Sequence, residues 1–176
     1  LLKTLSDEID RVYDQGFLQP LGIEWSRLLD EGFLGKWSLE EMPAQQNFYA
    51  KNIRPHLAES ERKRAFVIIS DAFRYEAARE LTESLNGRYR MNAKLSAMLG
   101  VLPSYTALGM ASLLPHETLG YNDNGDVLVD GNSTVGTEAR NKQLATVEGM
   151  ACQAKDLLVM KLEEARTFTQ DKRVVY

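Results

Sequence analysis

Two short segments of the 176-residue sequence place oxygen-bearing side chains in positions suited to phosphoryl chemistry. Asp71 follows the apolar run 65–69, and a carboxylate at the carboxyl end of a buried strand can bind a metal ion through hard oxygen atoms. Ser104 and Thr106 open a predicted small-residue helix, where free backbone N–H groups favour an anion. A threonine that attacks phosphorus needs nearby cations to lower its pKa. The two segments together predict one half of a metal-dependent phosphoryl-transfer site.

Each of these residues, taken alone, has a simpler interpretation as a helix cap. Aspartate, serine and threonine are the residue types that cap the free N–H groups of a helix start. The local sequence favours capping over catalysis for Asp71 and for Thr106. Both roles are partly compatible for Asp71, because a carboxylate has two oxygen atoms. Arg74 is either ordinary surface charge or a contact for an anionic substrate.

A third segment adds weaker candidates for substrate binding. Asp130 and Ser133 follow the apolar stretch 127–129, and a loop after a strand can line a pocket. Turn chemistry explains the same residues without any function, and we favour the turn. His116 is a lone histidine, which is more typical of a surface or hydrogen-bonded residue than of a ligand. The sequence has no glycine-rich P-loop, so a nucleotide cradle of that kind is excluded.

Composition limits the class of protein. Apolar residues make up 44% and charged residues 26% of the chain, as in ordinary globular proteins. The net charge of −4 gives no overall attraction to nucleic acid or to an anionic membrane, and no apolar run is long enough to span a bilayer. The single cysteine, Cys152, cannot form an intramolecular disulfide. We therefore expect a cytoplasmic protein that does not bind membranes.

The elements that must position these residues fall into two predicted parts, 1–62 and 63–176. In the first part, apolar residues recur at helical spacing, and several residues are predicted to interrupt the helix: Gly16, Pro20, Gly22 and Gly32. Ser38 and Glu41 have the spacing of a capping box, which predicts a further helix.

Strands and helices alternate in the second part, which predicts an α/β fold with a largely parallel sheet. The predicted strands are 65–69, 89–98 and one beginning at 173, and Asn124-Gly125 predicts a hairpin. The predicted helices are 71–85, 104–114, 137–147 and 154–168. Because the chain starts without Met and stops inside an apolar run, we expect it to be a piece of a longer protein.

The order of these segments resembles the PglZ domain, a member of the alkaline phosphatase superfamily in the BREX and Pgl phage-defence systems of bacteria and archaea. The resemblance covers roughly residues 46–176 and rests on five segments: 66–76, 102–110, 114–116, 129–131 and 155–158. It implies an alkaline-phosphatase-like three-layer sandwich with a mostly parallel sheet. Residues 63–176 are then the N-terminal part of that domain, truncated at its C-terminal end, after the helical segment 1–62.

The resemblance also implies the roles of single residues. Asp71 matches the metal-binding aspartate, and Thr106 matches the nucleophile, which also binds metal; Ser104 is the weaker alternative. The metals are two divalent ions, typically zinc and sometimes manganese. The other ligands are expected after Tyr176, so this piece is expected to bind the metals poorly and to be inactive.

Three functions follow from these observations. The first is a phosphoester hydrolase, a phosphatase or phosphodiesterase whose substrates include nucleic acid. The second is a non-catalytic scaffold of the same fold that docks partner proteins of the defence complex. The third is a generic α/β domain in which Asp71 and Thr106 are only helix caps.

Overall fold

The computed structural model describes residues 2–59, 64–145 and 174–175. The chain forms two compact units, Leu1–Glu40 and Glu41–Tyr176. The sequence predicts a different division, between residues 62 and 63, which marks where the PglZ-like domain would begin. That boundary stays a prediction. The predicted helix 154–168 and Cys152 lie outside the described residues. No helix in the described ranges is long and apolar enough to cross a membrane.

The first unit is helical along most of its length, with a predicted break at Gly32, whose φ of 98° is not helical. It consists of α1 (Leu2–Tyr13), α2 (Gln19–Leu28) and α3 (Leu34–Lys36), joined by two π-helical turns, Asp14–Leu18 and Leu29–Phe33. The predicted interruption by Gly16 and Pro20 is wrong, because the helix continues through the turn Asp14–Leu18 into α2. Pro20 lies in the first turn of α2, directly after the wider turn, where its missing N–H does little harm. The stretch ends at Trp37, which adopts a left-handed backbone.

A second helical stretch opens the other unit. It comprises a 3₁₀ turn (Gln45–Asn47), a π-helical turn (Tyr49–Ile53) and α4 (Arg54–Ala58). Its buried residues Tyr49, Ile53 and Leu57 form one core cluster. The further helix predicted from the Ser38 capping box begins only at Gln45, seven residues after Ser38. Pro43 restricts the backbone nearby, and Ala44 is extended and pairs with Leu99 instead of entering a helix.

A short parallel pair follows. β1 (Ala65–Phe66) pairs in parallel with β5 (Val174–Val175), which confirms a strand at the end of the chain. The predicted strand 65–69 is nevertheless only two residues long, and the side chain of Ile68 is 73% exposed rather than buried. β5 is the only strand paired with β1 among the described residues. Val67 packs against the cluster of Tyr49, Ile53 and Leu57, whereas Ile68 and Ile69 stay exposed.

The helix predicted at 71–85 and the strand predicted at 89–98 both differ from what the structure shows. α5 (Tyr75–Arg88) begins four residues later than predicted and passes through Gly87. The predicted strand 89–98 does not form. The side chain of Asn86 instead bonds both backbone groups of Ala93, with Ala93 N–H donating at 2.7 Å and Asn86 Nδ2 at 3.0 Å. A side chain thus supplies the partner that a neighbouring strand would have supplied.

The last described part confirms the predicted helix and hairpin. α6 (Thr106–Ser112) packs on an antiparallel sheet of β2 (Leu119–Tyr121), β3 (Val127–Val129) and β4 (Asn132–Ser133), and α7 (Gly136–Ala145) follows. Gly125 takes φ 82° in the first hairpin, as the Asn-Gly pair predicts. Asp130 and Gly131, with φ 49° and 78°, form the two-residue turn between β3 and β4. The turn interpretation of this segment is therefore confirmed. The described residues are α/β in character.

Candidate active site

Asp71 lies in an exposed turn after β1 and does not cap a helix. The residue at the cap position of α5 is Arg74, three residues further on, and no side chain there makes a capping hydrogen bond. Asp71 Oδ1 accepts a hydrogen bond from its neighbour, the backbone N–H of Ala72, at 3.0 Å. Ala72 has a φ of 55°, a left-handed backbone that costs about 1–2 kcal/mol for a residue other than glycine. The capping interpretation of Asp71 is wrong.

Thr106 is the first residue of α6, and it too is not the cap. Tyr105 occupies the cap position, again without a capping side-chain bond. Thr106 and Ser104 are exposed, and neither hydroxyl has a hydrogen-bond partner within the described part of the chain. The helix start therefore presents a threonine oxygen that no structural contact uses.

These oxygen atoms are of the kind that suits a hard divalent cation, but they do not by themselves make a metal site. Asp71 Oδ2 and Thr106 Oγ1 are both without hydrogen-bond partners in the described ranges, and no hydrogen bond joins the two side chains there. No group of three or more His, Cys, Asp and Glu side chains able to hold a metal occurs in these ranges. A zinc ion takes four ligands, so two oxygen donors supply half of one coordination shell.

Asp130 is occupied by contacts within the fold. Its Oδ1 accepts hydrogen bonds from Glu117 N–H (2.9 Å), Thr118 N–H (2.7 Å) and Thr118 Oγ1 (3.2 Å), and its Oδ2 accepts one from Gln143 Nε2 (3.3 Å). Burial raises the pKa of Asp130, but these bonds from Thr118 and Glu117 and the charge of His116 outweigh it and lower the pKa below 3.8. Asp130 thus ties the chain after α6 to the β3–β4 turn.

The two remaining predicted residues lie at the surface. Ser133 Oγ accepts a hydrogen bond from the backbone N–H of Val135 at 3.3 Å, which is a local turn contact. Arg74 is exposed at the start of α5, and no ion pair involves it among the described residues. A role of Asp130, Ser133 or Arg74 in binding substrate stays a proposal.

Sequence reasoning missed a polar cavity of about 570 Å³ beyond the C-terminal end of α6. Its lining includes Tyr49, Arg54, His116 and Asp130. His116 Nδ1 donates to the carbonyl of Leu114 at 2.7 Å, which orients the ring. The cavity brings α4 and the chain after α6 together, and no local sequence pattern links these two segments. Of its lining residues, the sequence singles out only Asp130 and the segment Leu114-Pro115-His116.

Comparison with known proteins assigns this chain to the alkaline phosphatase-like class. Residues 48–176 match the family described as the BREX system PglZ alkaline phosphatase-like domain, and the chain belongs to that family.

Two curated relatives are similar along the whole chain. The alkaline phosphatase-like protein BrxZ of Escherichia coli O9:H4 (strain HS) is 44% identical over 179 aligned residues, which cover 100% of this chain and 21% of BrxZ. The alkaline phosphatase-like protein PglZ of Bacillus cereus (strain H3081.97) is 36% identical over 99% of this chain and 20% of PglZ. The chain thus spans about a fifth of the length of these relatives. No solved structure matches it.

Proposed function

We propose that this chain is part of a metal-dependent phosphoester hydrolase, a phosphatase or phosphodiesterase, of a bacterial or archaeal phage-defence system. One observation carries the proposal: Asp71 and Thr106 keep exposed oxygen atoms without partners in the described ranges, where capping would have used them. Family membership supports the same class of chemistry. The substrate is a phosphoester, and nucleic acid belongs to the candidate substrates.

Thr106 acts as the nucleophile in this proposal. Its hydroxyl loses its proton to solvent as Oγ1 forms a bond to phosphorus, and the leaving oxygen departs from phosphorus and takes up a proton. Water then breaks the bond from Oγ1 to phosphorus, which restores the hydroxyl and releases phosphate from a monoester or a phosphomonoester from a diester. Asp71 and Thr106 would hold a pair of divalent ions, zinc or manganese, which supply charge that lowers the pKa of the Thr106 hydroxyl and neutralises the phosphoryl oxygens. Arg74 and Ser104 are the nearest candidates in sequence to contact the substrate. The other metal ligands come from residues outside the described ranges.

The finer features of the fold are part of the same proposal. The parallel pairing of β1 with β5 supports a mostly parallel sheet in a three-layer sandwich. The domain would begin near residue 63, after a helical segment, in a cytoplasmic protein.

Substitution of Thr106 and Asp71 in the complete protein tests the proposal. We expect Thr106→Ala to lower the rate of hydrolysis of p-nitrophenyl phosphate or its diester analogue by at least about a thousandfold. Asp71→Ala should lower it by at least about a hundredfold, since a metal ligand is lost. Thr137→Ala is the matched control, because Thr137 is also an exposed threonine in the first turn of a helix. Loss of activity with Asp71→Ala but not with Thr106→Ala would make water the nucleophile.

A second candidate function, a scaffold that docks partner proteins of the defence system, is favoured by α1. Its apolar residues recur at helical spacing, and each is more than half exposed: Leu2, Leu5, Ile9 and Val12. A helix with such a face can bind a partner without any chemistry at Asp71. If Ile9→Asp abolishes co-purification with the other defence proteins but leaves hydrolysis intact, docking and catalysis are separate functions of one protein. Unchanged co-purification would remove the docking role of this face.

A further inference from the structure

Gln45 lies just before the segment that matches the family, yet its backbone is fixed within the same unit. Gln45 N–H donates to the carbonyl of Leu99 at 2.8 Å, and Leu99 N–H donates to the carbonyl of Pro43 at 2.9 Å. These two bonds make the parallel bridge between Ala44 and Leu99. The position of Gln45 is therefore held from both sides.

The side chain of Gln45 reaches the backbone of α6. Its Nε2 donates to the carbonyl of Gly109 at 3.0 Å, and Ser112 Oγ donates to the same oxygen at 2.7 Å. In a regular helix this carbonyl would accept from Leu113 N–H, which here donates to Met110 at 3.2 Å. Two side chains thus satisfy a carbonyl in the last turn of α6, and Gln45 is the one that comes from outside the helix.

The side chain also fills the space between two glycines. A Cβ atom on Gly109 would lie 3.6 Å from Gln45 Nε2, and one on Gly100 would lie 3.7 Å from Gln45 Oε1. A side chain at either position would therefore just reach the Gln45 amide, which lies beside both segments. Its direct link to α6 is the hydrogen bond to the Gly109 carbonyl.

Gly109 connects this contact to Thr106. Gly109 N–H donates at 3.0 Å to the carbonyl of Tyr105, the residue immediately before Thr106. The Thr106 hydroxyl has no hydrogen bond of its own in the described part of the chain, so the backbone of α6 determines where it lies. Leu108 and Ala111 hold α6 in the core beside β3, and the bond from Gln45 is a further contact that fixes the helix at Gly109.

We propose that Gln45 is a positioning residue for Thr106, acting through the Gly109 carbonyl. The proposal rests on the proposed function, since it takes Thr106 as the nucleophile. Displacement of a reacting group by about 1 Å can cost up to about a hundredfold in rate. Loss of the Gln45 hydrogen bond should therefore lower kcat more than it affects KM.

The test uses the complete protein and p-nitrophenyl phosphate or its diester, whichever the wild type hydrolyses. Gln45→Met keeps the length of the side chain without an N–H donor, and we expect kcat to fall about tenfold with KM within about twofold. Gln45→Lys restores an N–H donor, and we expect it to recover at least half of the loss in log kcat. Gln46→Met is the matched control, because Gln46 is an exposed neighbour without a hydrogen bond in the described ranges. Rates are normalised to the folded fraction from urea unfolding.

Two results would overturn the proposal: kcat of Gln45→Met within twofold of wild type, or Gln45→Lys no better than Gln45→Met. Thr106→Ala is measured in parallel. If Thr106→Ala retains activity, Thr106 is not the nucleophile and the proposed function is wrong. If Thr106→Ala is inactive but the Gln45 variants give either of those two results, only the positioning role of Gln45 is wrong.

Discussion

At the scale of single residues, Asp130 shows how a carboxylate can be necessary to the fold rather than to the chemistry. It accepts two backbone N–H groups, one hydroxyl and one amide, and three of these donors come from residues 117–118. Without it, the N–H groups of Glu117 and Thr118 would depend on water. The lowered pKa of Asp130 reflects these bonds.

We expect Asp130→Asn to lower the free energy of unfolding by about 1 kcal/mol at neutral pH, a modest value because the side chain is exposed. The pKa of Asp130 is lowered from 3.8 in the folded state, so its stabilisation is present above that value and is lost as pH falls through the folded pKa. Urea unfolding below about pH 4 should therefore show a smaller difference between wild type and variant than at neutral pH.

The matched control is Asp123→Asn, since Asp123 is exposed in the β2–β3 turn and accepts no hydrogen bond in the described ranges. If both variants change stability equally at every pH, the structural role of Asp130 is wrong.

Local sequence predicted that Thr106 lies at the start of a helix, but it placed Asp71 at the end of a buried strand, whereas β1 ends at Phe66. The apolar run before Asp71 and the small residues after Thr106 are short-range signals. Whether either residue caps a helix depends on a shift of a few residues in where the helix begins, which propensity does not determine. The role of Asp130 depends on a hairpin turn meeting residues 117–118, a contact between distant segments.

At the scale of elements, Gly109 in α6 has a helical backbone that other residues can adopt, whereas Gly131 in the β3–β4 turn has a left-handed backbone that favours glycine. We expect Gly109→Ala to be neutral or to stabilise the fold by up to about 1 kcal/mol, because its Cβ meets only an ordinary contact inside a helix. Gly131→Ala should destabilise it by about 1 kcal/mol or more, since Gly131 has a φ of 78°. Urea unfolding of both variants measures the difference. Equal effects would show that backbone conformation is not what distinguishes them.

The hairpin at Asn124-Gly125 could be predicted because its signal lies within four residues. The loss of the strand 89–98 and the late start of the helix after Ser38 could not be predicted. Asn86 satisfies Ala93 in the first case, and Ala44 pairs with Leu99 in the second. Both outcomes depend on partners that a window of local sequence does not contain.

At the scale of the whole molecule, the chain corresponds to about a fifth of its curated relatives. Phe66 and Ile68 are more than half exposed beside β1. Further strands of the proposed parallel sheet would cover these side chains. The parallel pairing of β1 with β5 could be anticipated from the alternation of strands and helices, and a larger parallel sheet stays a proposal.

Metal removal tests the incomplete site at this scale. We expect a chelator to abolish hydrolysis by the complete protein and zinc or manganese to restore it. The 176-residue chain should hydrolyse the same ester at least about a hundredfold more slowly, because its described residues contain no group of three or more His, Cys, Asp and Glu side chains able to hold a metal ion. Equal rates for both proteins, or a complete protein insensitive to the chelator, would contradict this expectation.

The most direct test of the central claim is to trap the phosphoryl group on Thr106. The complete protein is mixed with the ester that it hydrolyses and quenched in acid, and its peptides are analysed by mass spectrometry. The account predicts phosphothreonine at Thr106 during turnover and none in Thr106→Ala, which should be inactive. Continued turnover by Thr106→Ala, with no phosphoryl group found at Thr106 in the wild type, would contradict it.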